Sequence, residues 1–155
     1  DPPYNQHRYF TNYHVWETLV RWDSPEHYGV ACKRIDSRDA ATKSAFNRRR
    51  EMPEALRDVL SRLSAEVVVV SHNNEAWVSP AQIADWLREA GHQQVATLDF
   101  DRKRYVGAQI GIHNPQGRRV GSVSHLRNVE HVLVAGRAER VDAAVAASES
   151  SCGAS

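Results

Sequence analysis

Apolar and polar positions divide the chain into short, alternating segments. After Tyr4 it stays largely polar to Asn12 and reads as a loop. From Tyr13 to Trp22 the apolar residues Val15, Trp16, Leu19, Val20 and Trp22 recur at helical spacing, with Thr11 or Asn12 placed as a cap. Asp23-Ser24-Pro25 ends that helix, and Glu26–Lys43, poor in apolar residues and without a period, predicts a long loop that is mobile or shaped by a ligand. Pro53 suits the first turn of a second helix whose inward stripe is Leu56, Val59, Leu60 and Leu63. The unbroken run Val67–Val70 predicts a central parallel strand covered by helices on both faces. Ser79-Pro80-Ala81-Gln82 carries a capping box for a third helix that buries Ile83, Trp86 and Leu87 and stops at Gly91. Strand patterns follow at Val95–Phe100 and Val129–Ala135, with a glycine-punctuated, hairpin-like stretch between them. The order helix, helix, strand, helix, strand, strand implies an α/β layer arrangement with a partly parallel sheet. Residues 137–155 are rich in Ala and Ser and predict a frayed or disordered tail.

Composition narrows the classes. The chain has 155 residues, 41% hydrophobic and 25% charged, with a formal net charge of +1, which suits one domain rather than two. No apolar run approaches a membrane span, and the first residues do not form a signal peptide. Cys32 and Cys152 make no framework, so a reducing cytoplasm is the expected compartment. Eight histidines are scattered without metal-ligand spacing, so no metal is expected. The small net charge conceals basic clusters at Arg48-Arg49-Arg50, Arg102-Lys103-Arg104 and Arg118-Arg119. Each is a solvated surface or a track for a phosphate backbone.

Asp1-Pro2-Pro3-Tyr4 holds the most specific chemistry. An aromatic amino nitrogen is a poor nucleophile because its lone pair is delocalised into the ring. A carboxylate on Asp1 and the carbonyl of Pro2 could each accept one of its N–H bonds. Acceptors off the ring plane would favour a pyramidal nitrogen with its lone pair free. The prolines would restrict the loop, and Tyr4 offers a ring face for an extruded base. A Pro-Pro turn with a capping Asp is the alternative.

Later segments bear on that choice. Asn12-Tyr13-His14-Val15-Trp16-Glu17-Thr18, Ser44-Ala45-Phe46-Asn47-Arg48-Arg49, Val69-Val70-Ser71-His72-Asn73-Asn74-Glu75 and Arg104-Tyr105 follow the first motif in order. With them the sequence resembles the Dam-like, adenine-specific DNA methyltransferases, the class in which the cofactor-binding half comes first. The resemblance extends over most of Asp1–Gly136 and departs from the family at His72, where Tyr is commoner. It implies an α/β fold: the carboxyl-terminal half of a Rossmann-like, S-adenosylmethionine-dependent methyltransferase, with a mixed sheet ending in an antiparallel pair. Residues 1–136 would form the catalytic half, and 137–155 the tail. The implied reaction is direct transfer of a methyl group from S-adenosylmethionine to the amino nitrogen of an adenine flipped out of double-stranded DNA.

By the same resemblance, Asp1 and Pro2 hold the amino group within the Asp1–Tyr4 loop, which Pro3 stiffens, and Tyr4 stacks on the base. Asp1 also lies near the cofactor, and Tyr105 packs the base from the other side or is an ordinary strand tyrosine. Asn73 and Asn74, at the carboxyl end of a strand, contact substrate or simply form a turn. Arg48, Arg49 and Arg104 would contact phosphates. A cognate restriction enzyme is an expected partner, and no membrane is.

The chain begins at Asp1 rather than Met and contains no aromatic-x-Gly-x-Gly cofactor turn. Those features predict a piece of a longer reading frame, inactive alone. The alternative is an inactive fragment, or a subunit of a split methyltransferase that binds DNA only with a partner chain. A related loop beginning with Asn serves protein-glutamine and some RNA methyltransferases. Asp1 and Ser71–Glu75 argue against that substrate class, and the lack of a phosphate-cradling glycine turn argues against a generic nucleotide-binding domain.

Overall fold

A computed structural model describes Pro2, residues 8–103, Arg118 and residues 127–152. The helices are α1 (Tyr9–Asn12), α2 (His14–Arg21), α3 (Met52–Arg62), α4 (Pro80–Glu89) and α5 (Ala138–Cys152). The strands are β1 (His27–Tyr28), β2 (Lys33–Arg34), β3 (Val67–Asn73), β4 (Gln94–Lys103) and β5 (Arg127–Gly136).

The principal sheet has the order β3-β5-β4, and both of its ladders are antiparallel. The parallel neighbour expected for Val67–Val70 is absent among the described residues. Among the described residues β3 is an edge strand, and its only sheet neighbour runs the other way. Only one of its faces is covered: Val68 and Val70 are buried, whereas Val67 and Val69 are exposed. The valine run hid this alternation because valine favours a pleated strand whether or not its side chain is covered. Val68, Val70, Leu133 and Ala135 pack against Met52, Leu56 and Leu60 of α3 and Ile83 and Leu87 of α4. At the far end of the ladder β5 and the chain before β3 approach closely. A Cβ on Gly136 would lie 2.7 Å from the backbone oxygen of Glu66.

Local signals produce α4 as expected. The Ser79 hydroxyl accepts the Gln82 N–H at 3.2 Å, and the Gln82 side chain accepts the Ser79 N–H at 2.9 Å. Gly91 follows the helix with φ +98°, a conformation that L side chains avoid. The expected tail instead contains α5, whose Val141 is fully buried and whose Asp142 accepts a bond from Gln94 Nε2 of β4 at 2.7 Å. Alanine, the strongest helix former, accounts for the helix where apolar content alone predicted none.

The segment expected as a loop over Glu26–Lys43 is ordered as the hairpin β1–β2 followed by short 3-10 turns. Its organiser is Arg34, 2% exposed. Arg34 Nη2 donates to Asp23 at 2.8 Å and to Asp36 at 2.8 Å, Nε donates to Asp36 at 3.1 Å, and Nη1 donates to Thr18 of α2 at 3.2 Å. These bonds hold the Asp23 and Asp36 carboxyls below the ordinary carboxylate range and raise the guanidinium. Helix α2 occupies His14–Arg21, and Tyr13 rather than Thr11 or Asn12 stands at its cap. Its apolar positions Val15, Trp16, Leu19 and Val20 are exposed among the described residues.

Candidate functional site

Of the residues singled out in the sequence, Asp1, Pro3, Tyr4, Arg104 and Tyr105 lie outside the described residues. Pro2 is described and half-buried. The site that can be built is therefore centred on the carboxyl end of β3. Asn73 closes that strand and is 9% exposed. Its Oδ1 accepts the Glu75 N–H at 2.9 Å, and its backbone carbonyl accepts the Ala76 N–H at 3.0 Å. Asn74 donates its N–H to Val129 of β5 at 3.1 Å. Asn73 thus does what asparagine does after a strand: its carboxamide oxygen fixes the turn. That turn opens onto a cleft of about 400 Å³ between the end of β3 and the start of α4. His72, Asn73, Asn74, Trp77, Gln82 and His131 supply most of its polar and aromatic lining, and no carboxylate among the described residues borders it.

The histidines enter this site through strand register, which the sequence did not reveal. His72 of β3 stands opposite His131 of β5, and His131 stands opposite Asp99 of β4. His131 Nδ1 lies 2.7 Å from Asp99 Oδ1, and the two imidazole centroids are 5.3 Å apart. His72 is 1% exposed, and burial pushes its pKa down to about 4. His131 opposes protonation of His72 as well, whereas the Asp99 charge favours it. His72 is therefore a neutral ring at the base of the cleft near pH 7. The sequence offered one signal, a histidine within a valine-rich strand.

Arg48 and Arg49 are exposed between the last 3-10 turn and α3. Arg48 Nη1 pairs with Glu51 at 2.9 Å, which partly offsets its charge. The structure does not bring them to the Asn73 cleft; neither lines it. Among the described residues no group of three or more His, Cys, Asp or Glu side chains could hold a metal ion. Nor is any described helix long and apolar enough to cross a membrane.

The model of the D12 class N6 adenine-specific DNA methyltransferases matches residues 1–77, which contain both the Asp1–Tyr4 stretch and the turn at Asn73-Asn74. Residues 1–77 belong to this family. It is 30% identical over 93 residues to the type II methyltransferase M.FokI of Planomicrobium okeanokoites, covering 59% of this chain and 14% of that protein. Identity to the modification methylase LlaI of Lactococcus lactis subsp. lactis is 23% over 123 residues, covering 79% of this chain and 19% of the relative. The type II methyltransferase M.CviAII of Paramecium bursaria Chlorella virus 1 is 26% identical over 111 residues, covering 72% and 32% respectively. The chain spans less than a third of the length of these curated relatives. No solved structure matches it significantly.

Proposed function

We propose that this chain supplies catalytic residues for transfer of a methyl group from S-adenosylmethionine to the exocyclic amino nitrogen of a flipped adenine in double-stranded DNA. The observation that carries the reading is the family match over residues 1–77, with Asp1-Pro2-Pro3-Tyr4 and Ser71-His72-Asn73-Asn74-Glu75 both inside it. The cofactor supplies an electrophilic methyl group on a sulfonium. Asp1 and the Pro2 carbonyl accept the two amino N–H bonds, and this electrostatic preorganisation frees the nitrogen lone pair for attack. Pro3 limits the loop's freedom, Tyr4 stacks on one face of the base, and Tyr105 packs the other. Arg48, Arg49 and Arg104 contact phosphates and so place the duplex.

The cleft beside Asn73 suits the base rather than the donor. Its lining offers amide and imidazole edges and the Trp77 ring, which match a neutral heteroaromatic ring. A sulfonium cation would call for a carboxylate, and none of the described residues lining the cleft carries one. Cofactor contact is therefore assigned to Asp1.

The finer fold belongs to the same proposal. The sheet β3-β5-β4 forms one edge of a larger Rossmann-like sheet that continues past β3. The unpaired side of β3 among the described residues, and the exposure of Val67 and Val69 along it, support this continuation. The setting is cytoplasmic, with a cognate restriction enzyme as partner.

The test is to incubate the intact protein with duplex DNA and methyl-labelled S-adenosylmethionine, then digest the DNA to nucleosides. Label on N6-methyladenine is expected. Label on cytosine, or on RNA or protein acceptors instead, would reject the assignment.

A further inference from the structure

A second concave site, of about 330 Å³, lies between α1 and the β1–β2 hairpin, away from the Asn73 cleft. Three cations border it: Arg8, Lys33 and Arg38. Among the described residues no carboxylate does. Three acids of this region are engaged elsewhere: Asp23 and Asp36 bind Arg34, and Glu17 accepts from Arg21 Nε at 2.6 Å. Uncharged groups hold two of the cations in place. Arg8 Nη1 donates to the Ser37 carbonyl at 2.9 Å, and the Arg38 guanidinium carbon sits 4.0 Å over the Tyr28 ring. The Tyr28 hydroxyl lies 3.2 Å from Ser37 Oγ, and that bond, together with the Arg38 and Lys33 charges, draws its pKa below the ordinary tyrosine range. Neither a carbonyl nor a ring face neutralises a guanidinium, so the pocket keeps a concentrated positive charge. Thr11 and Asn12 add polar tips at its rim.

We propose that the pocket between Arg8, Lys33 and Arg38 binds a phosphate group, supplied by a phosphodiester of the bound DNA. Identifying DNA as the source rests on the function proposed above; the affinity for phosphate does not. Guanidinium forks and an ammonium group around hydroxyl and amide donors match the oxygens of a tetrahedral anion. Three residues lie between Tyr4 and Arg8, a tether of four steps and at most ~14 Å. A phosphate held here would be anchored within that reach of the loop assigned to the flipped base. Such a contact positions the strand without reading its sequence.

Two titrations of the 155-residue chain test this, with Lys33→Gln, Arg38→Gln and the charge-retaining Arg38→Lys. With inorganic phosphate, saturable NMR shifts of the Lys33, Ser37 and Arg38 amides are expected in the parent chain and in Arg38→Lys. Both Gln variants should lose them. Against duplex DNA, the slope of log K on log salt should fall by about one in Lys33→Gln, with affinity reduced alike on all sequences. Hydrogen-exchange protection of the Ile35 amide, bound to the Glu26 carbonyl at 2.8 Å, reports whether the hairpin is intact. Should Arg38→Gln loosen it, Lys33→Gln decides. Absent phosphate shifts in the parent chain, or shifts that survive in the folded Gln variants, overturn the pocket. Lost phosphate binding with an unchanged DNA slope overturns the DNA source and leaves a free-anion site. Saturable phosphate binding by a protein that binds no duplex supports the pocket and contradicts the DNA-directed function.

Discussion

His72 and His131 face one another across the β3–β5 ladder, with ring centroids 5.3 Å apart and planes tilted by 42°. The pair ties the end of β3, where Asn73 begins the turn, to the centre of the sheet. His131 in turn has the Asp99 carboxylate at hydrogen-bond distance, 2.7 Å.

A pH dependence follows. Burial lowers the folded pKa of His72 to about 4 from an unfolded value of 6.5, so the unfolded chain binds the extra proton between those limits. Stability is full above pH 6.5 and falls as the pH drops toward 4. The loss from this group is about 3 kcal/mol at most. Urea unfolding at pH 7 and pH 5 should show this decline, and His72→Phe should reduce it.

Arg34 gives the opposite kind of group its partner. Its bonds lower the folded pKa of Asp23 and Asp36 below 3.8, so their contribution is present above that value and fades below it. Arg34→Met should leave Asp23 without its guanidinium partner and Asp36 with only Arg21 at 3.4 Å, and loosen the hairpin. Hydrogen exchange at Ile35 is then expected to accelerate, while amides of β5 keep their protection.

The two faces of the sheet should respond differently to truncation. Leu87 is fully buried, and Leu87→Ala is expected to cost roughly 2–5 kcal/mol. Val69 is 59% exposed, so Val69→Ala should stay within about 0.5 kcal/mol in this chain. In the intact protein a sheet continuing past β3 would raise the second cost. Equal costs in the two contexts would count against that continuation.

Loss of the Ser79 cap should be detectable on its own. Ser79→Ala removes the acceptor of the Gln82 N–H and is expected to cost about 1 kcal/mol, read as a lower denaturation midpoint with an unchanged m-value.

What the sequence made legible was mostly local. The start of α4 could be read because Ser79, Pro80 and Gln82 act within one turn. Strand β3 could be located, but not its neighbour, since four consecutive valines conceal which face is covered and pairing is set by the distant β5. Order in Glu26–Lys43 was illegible for a similar reason: it depends on Arg34 reaching back to Asp23 and Thr18. At the site, Asn73 and Asn74 were legible as a strand end. His131 was not, because only the register of three strands brings it and Asp99 beside His72.

The central claim is that the chain's first residues hold an adenine amino group for methylation. It is tested most directly by quantifying N6-methyladenine formed in duplex DNA by the intact protein and by its Asp1→Ala variant. The account predicts labelled N6-methyladenine from the parent protein and a rate at least ~10²-fold lower in the variant, with DNA affinity retained. An undiminished rate in the variant, or methylation confined to another base, would contradict it.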